Sequence, residues 1–430
     1  MGAGMSEWVS VAAVYLPLMA AVIAGLVNGR RPRTFAACLL STLWVAPTLL
    51  AVQAINCRAG WWVFSGDSVL FHQMPVECFV GWVILWGIVP QLAFPRLALG
   101  WVAAIMVLTD LIAMPLCKPL VHLEPRWLIG ESLSIVVVLA PALCIARWTY
   151  DNTNLRLRSA IQVATSGMLF LYLLPEIVFA LRPGAGWRPL LQEPSWQRQI
   201  GIQVLLLVAI PGVSAVLEFA ERGGGTPIPY DPPQRLVTSG IYRYCANPMQ
   251  FSCALVMVLW AGMLRNGWLI LAALMSAIYS AGIAEWDERQ DLASRFGEEW
   301  RSYRAAVRSW RLRWRPFDAG PTARIYIAST CGPCSEIREW IEARNPVGLQ
   351  IVDAEACPLG AIRRMRYEPG DDSAACEGVR AMGRALEHLN LGWAIAGAAL
   401  RMPGVWQSVQ LVMDASGLGP RELVKNTSLN

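Results

Sequence analysis

Long apolar runs, separated by short polar segments rich in arginine and proline, fill the first two thirds of the chain. Runs near 20 residues, the length that crosses about 30 Å of hydrocarbon as a helix, lie at 8–27, 35–54, 76–94, 97–117, 127–145, 159–181 and 200–219. Two more, at 248–264 and 267–283, are joined so tightly that they form a hairpin. The pattern predicts a polytopic α-helical membrane protein with about nine transmembrane helices. After residue 283 the apolar continuity stops, and 285–310 reads as one helix with a polar and an aromatic face, ending in SWRLRWRPF. Tryptophan and arginine in that arrangement suit the headgroup level of a bilayer. Beyond Asp318, Ala319, Gly320 and Pro321 the pattern becomes that of a soluble domain.

Composition agrees: 55% of the 430 residues are hydrophobic and only 16% are charged. The net charge of +5 comes from basic residues at the ends of apolar runs, where they set topology rather than contact nucleic acid. Arg30, Arg31 and Arg33 follow the first span and no basic leader precedes it, so the amino terminus is expected outside. Arg147, Arg156 and Arg158, and then Arg222, Arg235 and Arg243, are expected inside. Nine spans then leave the carboxyl-terminal domain in the cytoplasm, beneath an inner or plasma membrane. His72, His122 and His388 lie too far apart for a histidine-cluster iron site, and no metal is expected. Of the 11 cysteines only Cys331 and Cys334 have an informative spacing.

Polar chemistry between spans is expensive, so the segment from Gly223 to Pro316 stands out. Three glycines and Pro227, Pro229, Pro232 and Pro233 predict an extended, rigid polar lid. Gly240 offers a turn, Asn247-Pro248 a helix start, and Tyr242, Arg243 and Tyr244 stand on the link between them. The stretch GTPIPYDPPQRLVTSGIYRYCANPMQ, an apolar hairpin and then ExxxLxxxFGxxWxxYxxxVxxW resembles the isoprenylcysteine carboxyl methyltransferase and phospholipid methyltransferase superfamily over about 100 residues. The resemblance implies a membrane-embedded enzyme that uses S-adenosyl-L-methionine and a hydrophobic or lipid-like acceptor entering from the bilayer.

Carried over by position, Gly240 and Tyr242 match the superfamily's glycine-tyrosine turn, and Asn247 and Pro248 its Asn-Pro motif. Ala246 and Gln250 replace the flanking Arg and Tyr. Glu288 matches the first member of a Glu-Glu pair, Arg289 stands at the second, and Glu285 is one helical turn away on the same face. Arg243, Gln250 and Glu285 are secondary cofactor-binding candidates. Methyl transfer from a sulfonium is an in-line displacement, for which positioning supplies roughly 7–11 kcal/mol and water exclusion protects the electrophile. No dinucleotide-type glycine loop follows a predicted strand.

The tail ARIYIASTCGPCSEIREWIEA reads as a strand, a CxxC turn and an amphipathic helix, with a second strand predicted at 349–352. This puts Cys331 at a helix amino terminus, where a thiolate is stabilised. Together with ACEGVRAMGRALEHLNLGWAIAGAALRMPGVWQSV it resembles the DCC family of thioredoxin-like thiol-disulfide oxidoreductases, although Ala328 replaces that family's Asp. The resemblance implies a small α/β domain with Cys331 and Cys334 as its catalytic redox pair and a thiol or disulfide protein as partner. A zinc site of Cys331, Cys334, Cys357 and Cys376, or a redox-inactive packing module, are the alternatives.

The organisation expected is an amino-terminal helical region over 1–195, a methyltransferase-like core over 196–318 and a thioredoxin-like domain over 322–430. Glu77, Asp110, Glu131 and Glu176 fall within or beside apolar runs, where an acid is as often functional as structural. The segment DLIAMPLCKPLVHLEPRWLIGES has the look of a re-entrant or interfacial element. Two other functions fit the whole: a membrane-anchored thiol-disulfide oxidoreductase, and a non-catalytic lipid-binding protein.

Overall fold

In hydrocarbon every backbone N–H and C=O must find its partner within the segment, so the apolar runs have to be helices. A computed structural model describes residues 2–28, 31–65, 69–182, 184–228, 230–318, 320–358, 362–371 and 373–420; the side chains of 2–6, 283, 284 and 286–288 are outside the description. Seven helices are long and apolar enough to cross a membrane: α1 (Glu7–Asn28), α2 (Pro32–Ala59), α3 (Val76–Ala93), α4 (Leu99–Leu116), α5 (Trp127–Tyr150), α6 (Leu155–Leu181) and α7 (Ser195–Gly223). They mark an integral membrane protein. The two hairpin helices, α8 (Pro248–Met263) and α9 (Gly267–Tyr279), are shorter: the 16 residues of α8 extend about 24 Å. Full spanning length is therefore reached by seven helices among the described residues, against the nine expected. Trp101, Leu181, Leu206 and Ile278 are among many large apolar side chains left exposed on these helices, as faces turned to lipid require.

The chain divides into two compact units, Met1–Gly186 with Gly225–Pro233, and Trp187–Gly224 with Gln234–Asn430. In the first, α2 packs on α3 and α5 around Val45, Trp82, Trp86, Met106 and Leu139. The segment read as a re-entrant or interfacial element contains, between α4 and α5, a turn and a short strand. There β1 (Trp62–Phe64) pairs antiparallel with β2 (Val121–Leu123), and Asn56 secures the ribbon by donating to the Trp62 carbonyl and accepting from the Trp61 and Trp62 amides at 3.0–3.1 Å.

The proline-rich stretch is not an extended lid. Thr226 N donates to Asp231 O at 3.2 Å and Asp231 N to Ile228 O at 3.2 Å, closing a compact turn whose Thr226, Ile228 and Asp231 are buried; Pro229 lies outside the described residues. The cause is a buried charge. Arg158 donates to Asp231 Oδ2 at 2.5 Å and Thr226 Oγ1 donates to the same atom at 2.7 Å, so an arginine expected to mark topology pulls the loop inward.

The second unit joins α7 and the α8–α9 hairpin to a four-stranded sheet. Here β3 (Ala323–Ile327) pairs parallel with β4 (Leu349–Asp353) and antiparallel with β5 (Arg366–Glu368), which pairs with β6 (Cys376–Glu377). The spatial order is β4-β3-β5-β6. The exit helix α10 (Glu285–Ala306) precedes the sheet, α11 (Gly332–Glu342) crosses between the parallel strands, and α12 (Val379–Leu386) and α13 (Leu391–Leu400) follow. Ile325, Ile327, Ile341, Ala381 and Leu386 form the core of the sheet.

At the end of α7 the fully buried Glu218 carboxylate accepts from Arg384 Nη1 of α12 at 2.8 and 2.6 Å and from Ser239 Oγ at 2.5 Å. Arg222 stands 2.9 Å and Arg401 3.4 Å from it. Glu387 takes Arg401 and Arg384 on its other side. Removing one partner of such a buried set leaves its charges uncompensated, at a cost of about 3–5 kcal/mol. Glu218→Gln is accordingly expected to lower the melting temperature of the detergent-solubilised chain and expose the sheet to protease; an unchanged melting curve contradicts this account.

Candidate functional site

The link between Gly240 and Asn247 is built around one glycine. Gly240 has φ +60°, and a Cβ there would lie 3.2 Å from the Glu218 carboxyl carbon. Only glycine combines that conformation with that approach. Gly240–Arg243 then forms a 3₁₀ turn, burying Ile241, Tyr242 and Tyr244 against Ala215 of α7 and Ala394 of α13. The Tyr242 carbonyl accepts from Tyr303 Oη of α10 at 2.8 Å. Asn247 precedes α8 and Pro248 takes its first position, where a missing N–H costs nothing. The Asn247 amide does not cap the helix; its Nδ2 donates to Gln250 Oε1 at 3.2 Å.

The exit helix reaches the same link from the other side. It breaks at Gly297, at φ 54° and ψ −123°, and ends at Ala306 rather than running on to 310. The reason is competition for backbone partners: Ala246 N donates to Arg308 O at 3.1 Å, Arg313 N to Tyr244 O at 3.0 Å and Phe317 N to Arg243 O at 3.0 Å. Residues after the helix are thereby zipped along the link. Glu285, buried, accepts from Arg304 at 2.5 Å, Arg289 at 2.7 Å and Ser309 Oγ at 2.9 Å. Burial opposes its ionisation, but the bonds from Arg289 and Ser309 and the charge of Arg304 outweigh it and hold the carboxyl below its ordinary range. Ser309 completes the connection, since its carbonyl accepts from Cys245 Sγ at 3.0 Å.

Gly240, Tyr242, Asn247, Pro248, Gln250 and Glu285 thus lie along one hydrogen-bonded stretch, although 45 positions separate Gly240 from Glu285. The side chain of Glu288 lies outside the described residues. Arg243 turns the other way and donates to Val347 O at 3.3 Å. Sequence reasoning missed Glu218, Tyr303, Arg304 and Ser309. Glu218 ends an apolar run and has Glu221 and Arg222 just beyond it, a pattern that signals a membrane boundary as readily as a buried anchor.

Cys331 and Cys334 belong to the sheet. Cys331 is the residue before α11, and its carbonyl accepts from Cys334 N at 3.0 Å and Ser335 N at 2.9 Å. The preceding loop is held by Glu355, which accepts from Ser329 N at 3.1 Å and Thr330 Oγ1 at 3.0 Å, a positioning role with no signal in the spacing of the motif. Cys334 and Cys376 pack on one apolar cluster and Cys357 in another. No group of three or more metal-binding side chains forms among the described residues, so the alternative zinc set does not assemble. Comparison of the chain with protein-family profiles, curated proteins and solved structures returns no match.

His388, fully buried, closes the far side of the link. Its Nδ1 lies 2.7 Å from the Val347 carbonyl and its Nε2 3.0 Å from Tyr367 Oη. A carbonyl only accepts, so Nδ1 carries the hydrogen and Nε2 accepts from the tyrosine. Arg243 Nη1, 3.3 Å from Nδ1, shares the Val347 carbonyl with it. Burial and then the Arg243 charge push the imidazole well below its usual range. In the unfolded chain it takes up a proton below about pH 6.5, whereas the folded chain does not. Its contribution to stability is therefore complete above that pH and declines as pH falls, by at most about 1.4 kcal/mol per unit. Melting temperatures of the full chain from pH 7 to 5 are expected to fall, and less steeply in His388→Gln; equal slopes contradict the assignment.

Proposed function

We propose that this protein is a membrane-embedded methyltransferase that uses S-adenosyl-L-methionine to methylate a hydrophobic or lipid-like acceptor. The supporting observation is the convergence at the link. The glycine-tyrosine turn and the Asn-Pro helix start, matched to the superfamily by sequence alone, are joined through Tyr303, Ser309 and Cys245 to the exit helix and to Glu285, one turn before the matched Glu288. Glu285 is already committed to Arg289, Arg304 and Ser309, so it serves to hold the exit helix. Glu288, one turn further, is the carboxylate assigned to the sulfonium. The amide pair of Asn247 and Gln250 offers donors and acceptors at the mouth of α8 without being needed for its cap. The cofactor enters from the cytoplasm, the acceptor enters sideways from the bilayer, and the amino terminus is outside.

Asn247→Ala removes the side-chain bond to Gln250, so its melting temperature is expected to stay within a degree or two of the parent. Calorimetric titration with S-adenosyl-L-methionine is expected to show binding in the parent chain and a loss of about tenfold or more in Asn247→Ala and Glu288→Ala. Parent-like binding in both variants removes the site. Transfer of a labelled methyl group into extracted membrane lipid, absent in Glu288→Ala, then identifies the acceptor by mass spectrometry.

A second reading concerns the sheet, and the β4-β3-β5-β6 order with α11 crossing between parallel strands favours it. That topology, with Cys331 before the crossing helix and Cys334 in its first turn, suits a thioredoxin-like thiol-disulfide oxidoreductase. The thiolate attacks a partner disulfide, and the second cysteine resolves the mixed disulfide. Cys331→Ser is expected to abolish reduction of a small disulfide substrate by the dithiol form of the chain while leaving methyl-donor binding unchanged; undiminished reduction excludes this activity.

A further inference from the structure

The helix that follows α13 carries an uncharged outer face. It is α14 (Val405–Met413), and between Arg401 and Asp414 no residue is charged. Both flanking charges are turned inward. Arg401 pairs with Glu218 and Glu387, and Asp414 Oδ1 accepts from Arg364 Nη1 at 2.6 Å. Gln410 is turned inward as well, its Oε1 accepting from Val379 N at 3.0 Å. The exposed side holds Val405, Leu411 and Val412, with Gln407 and Ser408 as its polar members, and Leu411 and Val412 are 70% and 63% exposed. A helix turned to water ordinarily places charged residues on that side; this one places none there.

The level of α14 in the bilayer follows from α7. Trp196, exposed at the start of α7, is the kind of residue that marks a headgroup layer. Ser214 stands 18 positions further along, a rise of about 27 Å against about 30 Å for the hydrocarbon core. Ser214 and Glu218 therefore lie at the opposite boundary. On that stretch rests α13: Ala394 shares a buried cluster with Ala215, and Arg401 Nη2 donates to Ser214 Oγ at 3.4 Å. Both ends of α13 thus stay near one turn of α7, and only residues 401–404 separate it from α14. A second marker agrees. The ring of Trp310 lies 6.2 Å from that of Phe251 in the first turn of α8, and nearby Leu312 and Trp314 are exposed between Arg311 and Arg315. The Trp314 carbonyl accepts from the amide of Leu391, the first residue of α13, at 3.0 Å. Tryptophan and arginine at one end of α13 and an uncharged helix at the other share one membrane boundary.

We propose that the outer face of α14 is a lipid-binding surface, an in-plane helix that seats the sheet domain in the boundary between phospholipid headgroups and acyl chains. Val405, Leu411 and Val412 sink among the first acyl carbons, while Gln407 and Ser408 meet the glycerol and water layer. Continuity with the membrane argues for lipid, because the face adjoins the level at which α7 leaves the hydrocarbon. Area argues against a second copy of the chain. A helix of nine residues offers far less than the roughly 800 Å² per partner of a stable protein interface, whereas beside a bilayer the same face needs no further surface. The proposal rests on neither assigned activity.

The test places the full chain in phosphatidylcholine nanodiscs that include a phosphatidylcholine with a diazirine on its acyl chain. After illumination, lipid adducts are mapped by peptide mass spectrometry. Residues 402–418 are expected to carry adducts, as α7 does. The double variant Leu411→Glu, Val412→Glu is expected to lower the yield at 402–418 about tenfold, since charge is expelled from the acyl layer, and to leave the yield on α7 unchanged. Bare residues 402–418 in the parent chain, with α7 labelled, overturn the proposal whether or not the variant folds. An adduct yield unaltered in the folded variant overturns it too. Bare residues 402–418 in discs that hold two chains assign the face to a second copy and likewise overturn it.

Discussion

The second unit depends on one buried carboxylate. Glu218 ends a long apolar helix and collects Arg222, Arg384 and Arg401 together with the Ser239 hydroxyl. An unpaired charge in that position is driven to water or to neutrality. Pairing it internally requires α12 and α13 to come to α7, so the position of the sheet follows from a single electrostatic demand. The same carboxyl bounds the chain path next to it, since Gly240 takes a positive φ where a Cβ would press on the carboxyl at 3.2 Å. Glu387 balances the additional guanidinium charge and, through its backbone carbonyl, accepts from Tyr244 Oη at 3.0 Å.

The link at 240–247 is consequently held from both sides. On one side Tyr303 and the extended residues after α10 occupy its backbone groups, and the Ser309 carbonyl accepts from the Cys245 thiol. On the other, Arg243 and Tyr244 reach Val347 and Glu387 of the sheet domain. Apolar packing of Tyr242 and Tyr244 against α7 and α13 fills the space between. Few of these contacts are local in sequence, and nearly all are hydrogen bonds to backbone groups, which are directional. A site on such a link is preorganised, because moving one of its residues breaks bonds to elements far away in the chain.

What the sequence made legible was whatever depends on runs and periods. Spanning helices, the tight hairpin and the strand–CxxC–helix order are all properties of consecutive residues, and they appear where the pattern puts them. Individual charges were read less well. Arg158 looks like a topology marker and is a buried partner of Asp231; Glu218 looks like a boundary and is an anchor. Both errors have one cause, since a single charged residue near the end of an apolar run has the same local pattern whether it faces water or a partner about 70 or 166 positions away. The exit helix was overextended because helical pattern continues past Ala306, while its backbone is claimed by Tyr244 and Ala246. Strands of two and three residues, such as those at 366–368 and 376–377, are too short for any alternation to register.

The same comparison separates two kinds of buried acid. Asp231, Glu218 and Glu285 are each satisfied by arginine, and each fastens elements that are distant in sequence, so their cost is offset by a structural gain. Asp110 and Glu131 are buried on α4 and α5 with no basic partner among the described residues, and Asp110 is held by the Trp82 indole, whose Nε1 donates to its Oδ1 at 2.6 Å. Ion pairing explains the first group of acids, which stay charged and tie distant segments together, whereas the second group sits among apolar side chains, where burial without a cation favours the neutral carboxyl.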